Sequence, residues 1–208
     1  VHNMIQLRRA GDPSAMDPVE WGDDLLLTLI DTPEMQRLRR IRQLGLAAKV
    51  YPSGEHSRFS HSLGVMHLAT RLLHVLLQRD PNPFSQQEIL QIKTAALLHD
   101  LGHGPFSHVM ESVGDRSHER YGAHIIMESG IGDIIREMGI DPSTIAATLQ
   151  GSSPYSPLIS SEIDIDRMDY LLRDSHYTGV STALDAGRLS AVMELESETL
   201  VFREAGLG

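Results

Sequence analysis

Histidine carries most of the chemical potential of this sequence. Of its 11 histidines, nine fall between His56 and His124, although aromatic residues make up only 5% of the chain. The clustering is therefore not part of a general enrichment in rings. Two of the nine share a pattern. His61 stands four residues before Val65 and seven before Leu68, on the apolar stripe of a predicted helix. His99 follows Ala96 by three residues and Ile92 by seven, and Asp100 comes next, about 100° further round the helix. A buried imidazole beside a buried carboxylate is costly unless something compensates. A divalent cation in a groove between helices does so. Mixed nitrogen and oxygen donors suit manganese, iron, zinc, nickel or cobalt better than calcium. The ordinary reading of one core-facing histidine is a hydrogen-bonded packing residue. Spacing alone leaves the remaining ligand of a metal site unidentified.

The elements that would position these residues read as helices. An apolar segment, Asp24 to Ile30, ends before Thr32-Pro33. Thr32 fits an N-cap, Pro33 the first helical position and Gly45 a stop, so the spacing predicts a helix over 33–44. Turn residues follow at Tyr51-Pro52-Ser53-Gly54-Glu55-His56. Helical periodicity then runs over 60–78 and 86–101, separated by Pro81-Asn82-Pro83. Shorter helices are expected near 119–128, 131–138, 143–149 and 162–174, with strand character only from Thr199 to Arg203.

Composition excludes several classes. The 208 residues are 41% apolar, enough for one globular domain with a real core. Without cysteine there are no disulfides, thiolate sites or cysteine nucleophiles. A net charge of −10 disfavours nucleic acid as the main partner but not a small phosphorylated ligand. No apolar run approaches the ~20 residues of a membrane span, and no secretory core is visible. A cytoplasmic location is expected.

The segment Ala95-Ala96-Leu97-Leu98-His99-Asp100-Leu101-Gly102-His103-Gly104-Pro105-Phe106-Ser107-His108 resembles the signature of HD-domain phosphohydrolases. Three further stretches look like the deoxynucleoside triphosphate triphosphohydrolase branch. They are Ile30 to Gly45, Tyr51-Pro52 with His56 to Val65, and Asp164 to Asp174. The resemblance implies an all-α fold, an HD-domain helical bundle with the metal between its central helices. It implies a single domain over 1–208; relatives in that branch continue further, which leaves open a C-terminally truncated fragment, a shorter branch, or a longer chain with a disordered tail. It also supplies the missing ligand. The metal set becomes His61, His99, Asp100 and Asp166, holding one divalent ion (Mn, Fe, Ni, Co, Zn or Mg).

The implied reaction converts a dNTP to a deoxynucleoside and inorganic triphosphate. Metal-activated water attacks the α-phosphorus, and the 5′ oxygen leaves. That oxygen needs a proton, a task suited to histidine. His103, His108 and His118 match phosphate-side histidines, and Glu119 beside His118 is a built-in orienting carboxylate. His118 is the first choice for general acid. Arg58 and Arg167 match phosphate contacts, and Gln43, Tyr170 and Asp174 match contacts to the sugar. Asp31, Gln36 and Arg39 resemble a guanine-recognising activator site, which would lie at a subunit interface of a homo-oligomer (dimer or tetramer). Helix capping and surface charge account for that trio about as well. Two other functions remain open: a different HD phosphohydrolase acting on nucleoside monophosphates or cyclic nucleotides, and a non-catalytic nucleotide-sensing module.

Overall fold

The computed structural model describes residues 23–79, 84–106, 117–160 and 164–182, with the backbone of 193–196 and 199–202. Helices dominate the described residues, as expected of an all-α bundle. In chain order they are α1 (Asp23–Ile30), α2 (Pro33–Arg37), α3 (Arg58–Arg79), α4 (Gln86–Leu98) and α5 (His118–Glu128). Then follow α6 (Gly130–Glu137), α7 (Pro142–Leu149), α8 (Ser156–Ile159) and α9 (Ile165–Thr178). A two-stranded antiparallel ribbon, β1 (Met193–Glu196) and β2 (Thr199–Phe202), pairs Met193 with Phe202 and Glu196 with Thr199.

Local chemistry sets the helix starts. Thr32 accepts from the Met35 N–H and precedes Pro33 at the head of α2. Ser85 and Glu88 form a reciprocal capping box on α4. Asp141 caps α7 and Asp164 caps α9. Gly179 ends α9 in the left-handed region, φ 73°, donating its N–H to the Ser175 carbonyl.

The central pair is α3 and α4. Helix α3 buries Val65, Leu68, Leu72 and Leu76, and α4 is apolar on almost every side, burying Ile89 through Leu98 apart from Gln91. A helix buried all round is a core element rather than a surface one. Helix α9 packs on α3, and α5 packs on α7, which leans on α4. Lys93 is buried in α4, 1% exposed, and forms an ion pair with Asp23. Unpaired, that ammonium would be expensive at such depth.

The predicted helix over 33–44 is shorter than expected. Regular α structure stops at Arg37, a 3-10 turn covers Leu38–Arg40, and Ile41 is extended. The Ile41 carbonyl accepts the Arg58 N–H at 2.8 Å, so this chain segment turns aside to receive the start of α3. Gly45, expected as a helix stop, has φ +52° and opens a second 3-10 turn, Gly45–Lys49. The helix expected over 86–101 ends at Leu98, with His99 as its C-cap and Asp100 in the turn beyond. The final helix runs four residues further than the expected 162–174. The break at Pro81-Asn82-Pro83 lies outside the described residues.

Candidate metal and phosphate site

His61 lies in the first turn of α3 and is fully buried. Its two ring nitrogens face two aspartates on α9. Nδ1 is 2.7 Å from Asp169 Oδ2, and Nε2 is 2.8 Å from Asp166 Oδ1. Those aspartates sit three residues apart, on one helix face. His99 retains helical backbone angles as the C-cap of α4 and points its Nδ1 at the Ala96 carbonyl, 2.8 Å away. Its Nε2 comes within 3.2 Å of His61 Nε2 and 3.6 Å of Asp166 Oδ1. Each imidazole thus spends one nitrogen on an acceptor and directs the other at a common point, the arrangement that histidine metal ligands adopt.

His61, His99 and Asp166 place ligand atoms within 4.8 Å of one another. Three expected ligands therefore converge. Asp100 flanks them: its oxygens lie 3.5 Å from His99 Nε2 and 3.8 Å from His61 Nε2. Those same oxygens also receive Arg58 Nη1 at 2.6 Å and His103 Nε2 at 3.2 Å.

The electrostatics favour a cation here. Burial opposes charge on His61, but hydrogen bonds to Asp166 and Asp169 and the field of Asp100 outweigh it, pushing its pKa up to about 10. Burial likewise opposes charge on His99, and Asp100 and Asp166 raise its pKa. Asp166 is held low despite burial, through hydrogen bonds from His61 and His99. Asp100 is held well below the usual carboxylate range, against its burial, by His99, His103 and Arg58. Arg58 and Arg173 balance Asp100 and Asp169. The charge left on Asp166 draws protons to the two imidazoles in metal-free protein, and a divalent ion at the focus of the donors fits the same demand.

The turn after α4 is held from two sides. Arg37 donates from Nη1 to the His103 carbonyl at 2.9 Å and from Nη2 to the Leu101 carbonyl at 2.6 Å. On the other side, a Cβ on Gly102 would lie 1.9 Å from the His118 carbonyl oxygen and 2.4 Å from the Gly122 nitrogen. Only glycine allows α5 to approach so closely. That approach stacks the His103 and His118 rings, with centroids 3.8 Å apart and planes 17° from parallel. Burial lowers the His103 pKa, only partly offset by Asp100. His118 Nε2 lies 3.2 Å from Glu119 Oε1. His108, the third expected phosphate-side histidine, lies outside the described residues.

The other expected contacts divide. Arg58 is buried beside Asp100, whereas Arg167 is exposed one residue past Asp166. Tyr170 is half-buried one turn further along α9. Asp174 accepts from His56 Nε2 at 2.7 Å, and the His56 ring stacks on Tyr177. Gln43 lies beside this group, its N–H donating to the His56 carbonyl at 3.0 Å. The Gln43 Oε1 and His56 Nδ1 are buried with no hydrogen-bond partner among the described residues. Asp31 is exposed. Gln36 donates to the Ile30 carbonyl and accepts from Arg39 Nε at 2.6 Å, and the Arg39 guanidinium lies 3.7 Å from the Phe59 ring centroid.

Sequence reasoning missed Asp169, Arg173, Arg37 and His56. Asp169 was within reach, because it follows Asp166 by three residues and must share its helix face. Arg37 gave no such signal, since its acceptors lie 64 and 66 residues away.

Comparison with known proteins places this geometry. The HD domain family model matches residues 58–174, more than half of the chain. A Bacillus subtilis protein, the uncharacterized YwfO, is 40% identical over 89% of this chain and 44% of its own length. The human deoxynucleoside triphosphate triphosphohydrolase SAMHD1 is 33% identical over 84% of this chain and 34% of its own. The crystal structure of a phosphohydrolase from Bacteroides thetaiotaomicron superposes with a TM-score of 0.76 at 35% identity, covering 86% of this chain and 45% of that one. The chain spans less than half the length of each of these relatives. No helix among the described residues is long and apolar enough to cross a membrane.

Proposed function

Because the chain belongs to the HD domain family, we propose that it is a metal-dependent phosphohydrolase that cleaves deoxynucleoside triphosphates into deoxynucleoside and inorganic triphosphate. The observation that carries this reading is the convergence of His61, His99 and Asp166 beside a buried Arg58 and a stacked pair of imidazoles. A divalent ion held by His61, His99 and Asp166, with Asp100 adjoining, would polarise a phosphoryl oxygen and lower the pKa of its water.

The residues around that centre divide the remaining work. Arg58 balances Asp100 and adds fixed positive field on the phosphate side, where negative charge spreads during displacement. His118, 3.2 Å from Glu119 and stacked on His103, would give a proton to the departing 5′ oxygen. Burial disfavours the charged form of His103, and its Nε2 donates to Asp100, which fixes its ring. Asp174 accepts from His56 through Oδ1, and its other oxygen can accept from a sugar hydroxyl. Gln43 and Tyr170 would line the same side. The deoxynucleotide assignment is further supported by the name of the human relative.

Product analysis tests this directly. Protein reconstituted with manganese, iron, cobalt, nickel, zinc or magnesium is incubated with each dNTP, singly and mixed. Intact triphosphate is the expected product. Pyrophosphate with a monophosphate, or no turnover with any of these metals, overturns the reading. Faster turnover in mixtures would support the activator role of Asp31, Gln36 and Arg39. Replacing His118 with Ala is expected to leave metal bound and slow turnover by about 10²–10⁴-fold.

A further inference from the structure

We propose that Asp169 and Arg173 form a positioning pair that decides which nitrogen of His61 faces the cation, and thereby sets the affinity of the site. The inference rests on the reading of His61 as a cation ligand, and it concerns residues outside the ligand set. Arg173 donates to both oxygens of Asp169, Nε to Oδ2 and Nη2 to Oδ1, each at 2.8 Å. This two-point fork fixes the plane of the carboxylate. Asp169 Oδ2 then meets His61 Nδ1 at 2.7 Å.

A neutral imidazole carries its proton on one nitrogen. An acceptor locked against Nδ1 places the proton there and leaves the Nε2 lone pair aimed at His99 Nε2 and Asp166 Oδ1. Asp166, Asp169 and Arg173 recur at spacings of three and four residues. One face of α9 therefore supplies a ligand, the group that orients a second ligand, and the guanidinium that holds that group.

Packing removes the alternatives. A Cβ on Gly64 of α3 would lie 1.9 Å from Asp169 Oδ1 and 2.2 Å from Arg173 Nη2, so the pair occupies space that only glycine leaves open. Asp169 is 6% exposed, so its carboxylate is held by these protein partners rather than by bulk solvent. His99 offers a contrast, because its Nδ1 bonds to the Ala96 carbonyl, which no side-chain change removes. His61 is the ligand whose orientation a side chain controls.

The test measures zinc and manganese binding to the full chain by calorimetry with a competing chelator, alongside thermal unfolding of the metal-free protein. Asp169→Ala leaves Arg173 without its partner and can unfold the protein. The double variant D169A/R173M removes both charges together. Its metal affinity is expected to fall by about 10–100-fold. R173K keeps one charge without the fork and is expected to lose less, about threefold to tenfold. A purely structural role would lower the unfolding temperature and leave affinity alone. Affinity within threefold of wild type in D169A/R173M overturns the proposal. Asp166→Ala separates this from the underlying reading. If D166A loses metal while D169A/R173M keeps it, only the positioning role fails. If D166A keeps full metal content, the ligand assignment fails as well.

Discussion

The two imidazoles that meet at the candidate metal site are held by opposite means. On the α3–α9 side, His61 is placed by side chains: Asp169 grips Nδ1, Arg173 grips Asp169, and Asp166 completes the row. On the other side, His99, Asp100 and His103 ride on the turn after α4, which is gripped by its own backbone. Arg37 ties its carbonyls and Gly102 lies against the backbone of α5. Side chains on flexible stems can give by tenths of an ångström, whereas packed backbone cannot. Damage to the first wall should be graded and local. Damage to the second should take the whole turn with it.

Glycine substitutions probe this contrast most strongly. Gly102→Ala forces a methyl into the His118 carbonyl and the Gly122 nitrogen. It is expected to destabilise by about 1–3 kcal/mol or more and, by misplacing His99 and His103, to cut turnover by about 10²-fold. In Gly64→Ala the nearest atoms met are side-chain atoms, those of Asp169 and Arg173. Metal affinity should fall while the unfolding temperature drops less than in G102A. Unfolding scans and metal titration of both variants check this, and a G64A drop larger than that of G102A breaks the contrast.

The pH dependence of stability sharpens the picture of the first wall. In metal-free protein the His61 pKa is raised to about 10 against burial, by Asp166 and Asp169. Its contribution is fully present below the unfolded value of about 6.5 and is lost as pH climbs from there through about 10. Denaturant midpoints of metal-free protein should therefore fall across that window. Saturating zinc should flatten the slope, because a metal-bound Nε2 carries no proton to lose. A metal-free protein equally stable at both ends of the window would show that His61 is not charged by its neighbours.

Arg37 tests the second wall from outside the site. Replacing it with Met leaves the Leu101 and His103 carbonyls without their donor, a cost of about 1–3 kcal/mol each when buried. Turnover should fall by about 10-fold or more while the α9 residues, and hence the His61 geometry, stay as they are. Unchanged turnover in R37M would mean that Gly102 and α5 hold the turn without help.

The same division explains what the sequence could reveal. His61, His99 and Asp166 were legible through helical spacing or through motif resemblance, and Asp169 and Arg173 were legible in principle, sharing a face with Asp166. Regular helices convert position into direction. The turn was legible only as a motif: its supports come from Arg37, far earlier in the chain, and from the backbone of α5. The predicted helix over 33–44 failed for a related reason. Its periodicity was sound, yet Ile41 gave its carbonyl to the start of α3, a long-range bond that local pattern cannot register.

The smallest expected effect lies on the far end of α4, away from both walls. Ser85 N donates to Glu88 Oε2 at 2.7 Å, and the Tyr155 hydroxyl donates to Oε1. These bonds, with the Tyr155 contribution largest, lower the Glu88 pKa. A glutamine has one carbonyl oxygen and can accept at only one of these two places. Glu88→Gln is therefore expected to cost about 0.5–1 kcal/mol at neutral pH. Because the folded pKa is depressed, that difference is present above the unfolded value of about 4.3 and disappears as pH falls through the folded one. Metal affinity and turnover should not move. A change in metal binding in E88Q would mean that fraying at the start of α4 travels thirteen residues to His99 at its end, and that the turn is anchored less by Arg37 and Gly102 than by the helix that carries it.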